Sequence, residues 1–179
     1  MKYNGTNLKE VLEAHKRWIE ESEGWTEEDR ADLRRADLTG AYLNGADLRR
    51  ADLNGAYLNG ANNVPYVPFA CPDSGAFTAW KACASEEGRV IVKLLIPEDA
   101  KRLSSTGRKC RASKAEVLEI QTLNGKPLEN VNAWSMYDTN FTYEVGKTVE
   151  PKEPFCDNRW QECESGIHFF INRQEAVNY

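Results

Sequence analysis

The sequence has no long hydrophobic run and no excess of basic charge, and each absence narrows the range of functions. No stretch of about 18 apolar residues occurs among the 179 residues, so no membrane-spanning helix is expected. The amino terminus, MKYNGTNLKE, lacks the apolar segment of a signal peptide, which predicts a cytoplasmic protein. The net charge of −5 disfavours general nucleic-acid binding, because nucleic-acid-binding proteins usually carry a basic surplus.

Only five cysteines and two histidines are present, which limits metal and nucleophile chemistry. An odd number of cysteines without an export signal predicts reduced thiols. Cys156, Cys163 and His168 could bind zinc with Cys71 or Cys83, but no C-x2-C pair occurs and buried thiols explain the same pattern. We therefore assign no metal. The motifs G-x-S-x-G, H-E-x-x-H and the Walker loop are also missing, so we predict no catalytic residues, no cofactor and no enzymatic activity.

Residues 31–60 read ADLRR ADLTG AYLNG ADLRR ADLNG AYLNG, with alanine first and leucine third in each unit. A period of five fits neither the helical period of 3.6 nor the strand period of 2. The segment resembles the pentapeptide-repeat family, whose signature is A(D/N)LXX. This resemblance implies a right-handed quadrilateral β-helix with four units per coil and with alanine and leucine inside. Gly40, Gly45, Gly55 and Gly60 end their units, where a tight corner would require a positive φ angle.

Residues 7–22 show the apolar spacing of an amphipathic helix, with Leu8, Val11, Leu12, Trp18 and Ile19 on one face. Asn7 with Glu10 resembles a capping box, and Gly24 predicts the end of the helix. A repeat of less than two coils needs covered ends, so we predict that this helix caps it, with His15 packed inside. A helix that binds a separate target is the alternative.

The chain beyond the repeat is predicted to fold as a separate domain of strands and short helices. Strands are expected at 89–97, 115–123, 141–149 and 166–172, a short helix from EDAKRL at 98–103, and a closing helix at 173–179. The segments CPDSGAFTAWK, LLIPEDAKRLSSTGRKCRASKAEVL, YEVGKTV and CESGIHFF resemble an uncharacterised domain found downstream of pentapeptide repeats in phage and bacterial proteins. That resemblance implies no activity.

The predicted fold class is a short right-handed quadrilateral β-helix capped by an N-terminal α-helix and followed by an α+β domain. The expected boundaries are 1–24 for the capping helix, 25–64 for the repeat and 65–179 for an α+β recognition domain.

The run 101–114, KRLSSTGRKCRASK, holds six basic residues and no acidic one, although the chain is net negative. Hydroxyl groups and backbone N–H groups around Gly107 could hold an anion, with arginines adding charge-assisted hydrogen bonds. The predicted ligand-binding residues are Lys81, Arg102, Ser104, Ser105, Thr106, Arg108, Lys109, Arg111 and His168. A solvated basic loop is one alternative. Contact with a nucleic-acid backbone is another, disfavoured because the run contains no stacking aromatic residue.

These observations favour a non-catalytic binding protein whose C-terminal domain sequesters a phosphorylated, nucleotide-like ligand. The phage-like context suggests interference with a host system in the host cytoplasm. An inhibitor or scaffold that binds a host protein is the alternative, through the aromatic side chains of Trp80, Trp134, Tyr137, Trp160 and Tyr179. DNA mimicry is a minor alternative, because the four aspartates and four arginines of 31–60 cancel. The repeat and its helix would form a scaffold with a surface for homo-oligomerisation.

Overall fold

The computed structural model describes residues 2–3, 6–21, 23–24, 26–43, 46–64 and 67–179. The chain divides into two units, Met1–Pro68 and Phe69–Tyr179. The described residues of the first unit form two short antiparallel strands, an α-helix and one 3-10 turn: β1 (Lys2–Tyr3), β2 (Thr6–Asn7), α1 (Leu8–Ile19) and Glu27–Asp29. No helix in the described ranges is long and apolar enough to cross a membrane.

Helix α1 begins where the Asn7 side chain accepts a hydrogen bond from the Lys9 N–H group, as the capping signal predicts. It ends at Ile19, within the predicted range 7–22, whose last residue lies outside the described residues. The His15 ring is completely buried and joins α1 to the repeat. Its Nδ1 atom accepts from the Ala31 N–H at 3.1 Å, and its Nε2–H donates to the Arg49 carbonyl at 3.0 Å.

We expect His15→Leu to weaken this attachment by about 2 kcal/mol, because it leaves a buried N–H and a carbonyl without partners. Hydrogen exchange at the Ala31 amide, followed by NMR, should become much faster in this variant. Lys16→Leu is the matched control, because Lys16 is the exposed neighbour on the same helix. Unchanged Ala31 protection in the His15 variant would refute the role of the imidazole.

The repeat segment packs its alanine and leucine residues inside, as the five-residue period predicts. Buried members of the period are Ala31, Leu33, Ala36, Leu38, Ala41, Leu43, Leu48, Leu53, Ala56 and Leu58. Single parallel bridges join residues twenty positions apart: Asp32 to Asp52, Asp37 to Tyr57 and Tyr42 to Asn62. Each aspartate at the second position accepts a hydrogen bond from the N–H group two residues later, which stabilises the following turn.

The ends of the repeat units adopt the left-handed conformation. The predicted positive φ angles are confirmed at Gly40, Gly55 and Gly60. Gly45, for which the same was predicted, lies outside the described residues. Arg35 and Arg50 adopt this conformation as well, with φ angles of 58° and 63°.

The second unit is built from nine strands and one short helix. They are β3 (Phe77–Ser85), β4 (Gly88–Ile96), β5 (Arg102–Ser104), β6 (Cys110–Ala112), β7 (Ala115–Thr122), β8 (Ala133–Trp134), β9 (Thr142–Tyr143), β10 (Thr148–Val149), β11 (Ile167–Phe169) and α2 (Arg173–Asn178). A six-stranded antiparallel sheet has the order β10-β7-β4-β3-β8-β9, and a three-stranded antiparallel sheet has the order β11-β6-β5.

The main core of this unit contains inward-facing residues of both sheets, such as Val92 and Leu94 of β4 and Ile167 and Phe169 of β11. A smaller cluster forms where Ala176 of α2 packs against the six-stranded sheet. Trp80 and Phe170 exchange two backbone hydrogen bonds, at 2.8 and 2.7 Å, which tie β3 to the chain just after β11. This tie brings β11 close to the middle of β3.

The predicted fold class, a short right-handed quadrilateral β-helix with a capping α-helix and an α+β domain, is wrong. The described residues form a mostly antiparallel β-sheet protein with few helices, and they show no right-handed β-helix solenoid. Each five-residue unit spends its fourth and fifth residues in a turn where it is described, so the repeat makes isolated bridges and no strand. In the second unit, EDAKRL forms a turn leading into β5 instead of a helix, and the predicted strand 141–149 is divided into β9 and β10.

Candidate anion-binding site

The basic run 101–114 is not a loop but an edge hairpin of the three-stranded sheet. Strands β5 and β6 pair in the register Arg102 to Ala112, Leu103 to Arg111 and Ser104 to Cys110. Strand β11 continues the sheet, with His168 directly opposite Arg111. Side chains at paired positions point to the same face, so Arg111 and His168 lie together on the face opposite Cys110 and Ala112 of the core.

Three residues of the predicted site form hydrogen bonds that involve the backbone: Arg102, Ser104 and Ser105. The Arg102 guanidinium donates to the carbonyl oxygens of Ala100, Gly75, Pro97 and Glu98. The buried Ser104 hydroxyl accepts from the Ala70 N–H at 2.8 Å. The carbonyls of Ser104 and Ser105 both accept from Arg159 at 3.0 Å. Thr106 is half-buried beside them.

Arg111 is the most deeply buried charged residue of the predicted site, with only 2% of its surface exposed. Its guanidinium donates to the carbonyls of Cys156, Asn158 and Gln161, which fastens the segment 155–166 over the three-stranded sheet. Gly166 packs against its stem so tightly that a Cβ atom there would lie 2.9 Å from Arg111 Cδ. Arg111 therefore stabilises the outer wall of the candidate site.

Arg108 and Lys109 lie at the exposed end of the hairpin. Arg108 forms an ion pair with Glu175 of α2, with 2.7 Å between Nε and Oε1. Lys109 is half-buried, and its Nζ atom is 3.9 Å from Glu162 Oε2 and 3.6 Å from Cys163 Sγ. It also lies 5.9 Å from the centre of the Tyr179 ring.

Lys81 extends from the middle of β3 to the backbone of His168 in β11. Its Nζ atom donates to the His168 carbonyl at 3.1 Å and lies 5.8 Å from the centre of the Tyr143 ring. Burial and the nearby Lys109 ammonium lower the pKa of the Lys81 amine. Because Lys81 binds the His168 backbone and the charges of Lys81, Lys109 and Arg111 all act on the His168 ring, we call these four residues the basic cluster.

His168 is neutral in the folded protein near pH 7. Burial is the main cause, and the charges of Lys81, Lys109 and Arg111 add to it, lowering the pKa of His168 to about 4. Its ring Nε2 is 3.1 Å from the Glu162 carbonyl, so the neutral ring donates that hydrogen bond.

The basic cluster carries more positive than negative charge. Glu162, beside Lys109, is the one carboxylate within ion-pair distance of a cluster lysine in the described part of the chain. Lys81 has no carboxylate at that distance among the described residues. A largely buried ammonium without a counterion destabilises the folded state, so a bound anion would stabilise it.

Three residues important to this geometry were missed by the sequence analysis. Glu162 and Arg159 lie in the turn-rich segment NRWQECESG and match no motif, and Tyr143 reads as an ordinary strand residue. The alternation of β11, with His168 between buried Ile167 and Phe169, was the one available signal that this histidine faces away from the core. No three His, Cys, Asp or Glu side chains come together as a metal site within the described ranges, and this includes Cys156, Cys163 and His168.

The two parts of the chain match two different protein families. Residues 29–62 match pentapeptide repeats in eight copies, which confirms the predicted repeat family. Residues 67–176 match a family of unknown function, DUF5758, and because this match spans more than half of the sequence, the chain belongs to that family.

One curated relative shares part of this sequence. An uncharacterized protein of Acanthamoeba polyphaga mimivirus is 37% identical over 97 residues, which cover 50% of this chain and 61% of the relative. The match therefore spans less than two thirds of that viral protein. No solved structure matches the chain.

Proposed function

We propose that the second unit is a non-catalytic binding module that captures a phosphate-bearing, nucleotide-like small molecule at the basic cluster and sequesters it. The observation that carries this proposal is the buried Lys81 ammonium, which has Lys109 nearby and no carboxylate at ion-pair distance among the described residues. A phosphate group would supply the missing negative charge and accept hydrogen bonds from both lysines.

The surroundings of Lys109 favour a nucleotide over a bare inorganic anion. Tyr179 flanks Lys109 and is 50% exposed, so in this proposal a base stacks on the exposed part of its ring while the phosphate contacts the lysines. Base–aromatic stacking contributes about 1–3 kcal/mol per base. Lys81 and His168 are both half-buried.

The protonation state of His168 supports binding rather than catalysis. A general acid or base works best with a pKa near the operating pH, whereas the pKa of His168 is about 4. Its Nε2 atom is also engaged with the Glu162 carbonyl. We infer that the imidazole supports the wall of the site and transfers no proton.

The biological setting of the proposal is interference with a host system. The mimivirus relative provides a link to viruses, and sequestering a phosphorylated signal in the cytoplasm is a function that needs binding alone. A phage or bacterial source for this chain is part of the same proposal.

Removing the charge of Lys81 tests the proposed site. We expect wild-type protein to gain thermal stability with at least one probe from inorganic phosphate, pyrophosphate and ribonucleoside triphosphates, by about 2.7 kcal/mol at a concentration of 100 Kd. Lys81→Met should abolish this gain and, without ligand, should match or exceed the wild type in stability because it removes a buried charge. The measurements are differential scanning fluorimetry and isothermal titration calorimetry.

Lys152→Met is the matched control, because Lys152 is exposed and forms its ion pair with Asp138 instead of a residue of the basic cluster. This control should bind like the wild type. If no phosphate probe stabilises the wild type, or if Lys81→Met binds as tightly as the wild type does, the proposed ligand site is wrong.

A second candidate function is capture of a host protein by exposed aromatic residues. Tyr137 and Tyr179 are 80% and 50% exposed, and their hydroxyl groups lie 3.2 Å apart. Aromatic side chains of this kind often dominate protein interfaces. A host protein that binds wild type and Lys81→Met equally but loses affinity for Tyr137→Ala would favour this function over the phosphate site.

A further inference from the structure

Two of the buried cysteines lie beside each other in the core of the second unit. The Ala70 N–H group donates to the Ser104 hydroxyl at 2.8 Å, and Ser104 is directly opposite Cys110 in the β5–β6 ladder. Cys71 directly follows Ala70, so this hydrogen bond holds it near the Ser104–Cys110 pair of the ladder. Both belong to the main core and are only 5% and 1% exposed.

The two thiols differ in reactivity because of what surrounds them. The neighbouring Cys110 thiol is the main cause that lowers the pKa of Cys71, and the guanidinium groups of Arg102 and Arg159 lower it further. The neighbouring Cys71 thiol and burial raise the pKa of Cys110. Cys71 is thus the thiol of the pair that ionises first, and thiolate is the form that reacts with peroxides.

Cys83 provides an internal comparison. It is fully buried in the same core, but burial without such a partner raises its pKa to about 12. Burial alone therefore does not lower the pKa of a cysteine in this core, as happens at Cys71.

We propose that Cys71 and Cys110 are a redox-sensitive pair that forms an intramolecular disulfide on exposure to a hydroperoxide. The Cys71 thiolate attacks one peroxide oxygen, the O–O bond breaks, and Cys71 becomes a sulfenic acid while hydroxide leaves. The Cys110 sulfur then attacks the Cys71 sulfur, the S–O bond breaks, and a second hydroxide leaves and takes up the Cys110 proton as water. Overall, two thiols and one hydrogen peroxide give one disulfide and two water molecules.

The disulfide would change how the segment 69–76 is attached to the sheet. This segment begins the second unit and contains no strand. In the reduced protein this segment depends on contacts such as the Ala70–Ser104 hydrogen bond and the Arg102 hydrogen bond to the Gly75 carbonyl. A disulfide would link it covalently to β6 and close the loop from 71 to 110, which reduces the entropy of the unfolded chain.

Peptide mapping after oxidation tests the pair directly. The folded full chain is treated with hydrogen peroxide, the remaining thiols are blocked with N-ethylmaleimide, and the tryptic digest is analysed by mass spectrometry. We expect a linked Cys71–Cys110 peptide that dithiothreitol removes, while Cys83 stays a free thiol. A rise in melting temperature of several degrees should accompany the bond and disappear on reduction.

Cysteine variants separate this pair from other thiols. Cys71→Ser should lose both the linked peptide and the peroxide-dependent rise in melting temperature, whereas Cys83→Ser should keep both. The mapping of wild-type protein does not depend on how well the variants fold. Oxidation confined to Cys156 and Cys163, or a thiol at Cys71 that stays unmodified in peroxide, would overturn the proposal.

Discussion

Arg111→Met should lower the free energy of unfolding of the second unit by about 4 kcal/mol. Methionine keeps the volume of the stem but removes the donors for the carbonyls of Cys156, Asn158 and Gln161. A buried acceptor that loses its hydrogen-bond donor typically costs about 1–3 kcal/mol, and three carbonyls lose theirs in this variant. Urea unfolding followed by circular dichroism measures this loss.

Arg108→Met is the control for the loss of charge alone. Arg108 lies three residues earlier, and its ion pair with Glu175 is at the surface, so we expect a change below about 1 kcal/mol. The role of Arg111 in fastening segment 155–166 would be disproved by an Arg111→Met protein as stable as Arg108→Met.

The second large effect is a loss of stability in acid that depends on His168. In the unfolded chain this histidine has a pKa near 6.5, whereas in the folded protein its pKa is about 4. The unfolded state therefore binds a proton in this range that the folded state does not. The contribution of neutral His168 to the free energy of unfolding is therefore fully present above pH 6.5. It decreases as the pH falls towards 4, by about 3 kcal/mol in total.

His168→Gln isolates this contribution from the other titrating groups. Glutamine can still donate to the Glu162 carbonyl but does not titrate, so the variant should lack this part of the acid sensitivity. The quantity to follow is the difference in unfolding free energy between the two proteins from pH 7 to pH 4. A difference that does not change with pH would show that the imidazole accepts a proton equally well in both states.

The sequence was most informative where local chemistry decides the structure. The five-residue period correctly placed Leu33 and Leu38 inside, and the strand predicted at 89–97 is found as Gly88–Ile96. Such features depend on residues near one another in the chain. The period did not show how the units pair, and so the inferred fold class was wrong.

The candidate site includes one feature that is local in the sequence, the basic run 101–114. The run 101–114 contains Lys109 and Arg111, and the prediction also named Lys81 and His168, which the structure places near them. Nothing local in the sequence indicated that Arg111 would bind carbonyls 45–50 positions away. A basic run looks the same in sequence whether its guanidinium groups face solvent or bind the backbone.

The spacing of the bridges in the repeat limits how its length can change during evolution. The blocks 31–45 and 46–60 are nearly identical, but the backbone pairs residues twenty apart, so copied side chains meet different neighbours. Asp32 lies beside Asp52, and Tyr42 lies beside Asn62. A gain or loss of five residues would give every later side chain a new neighbour, whereas a change of twenty would restore the original pairing.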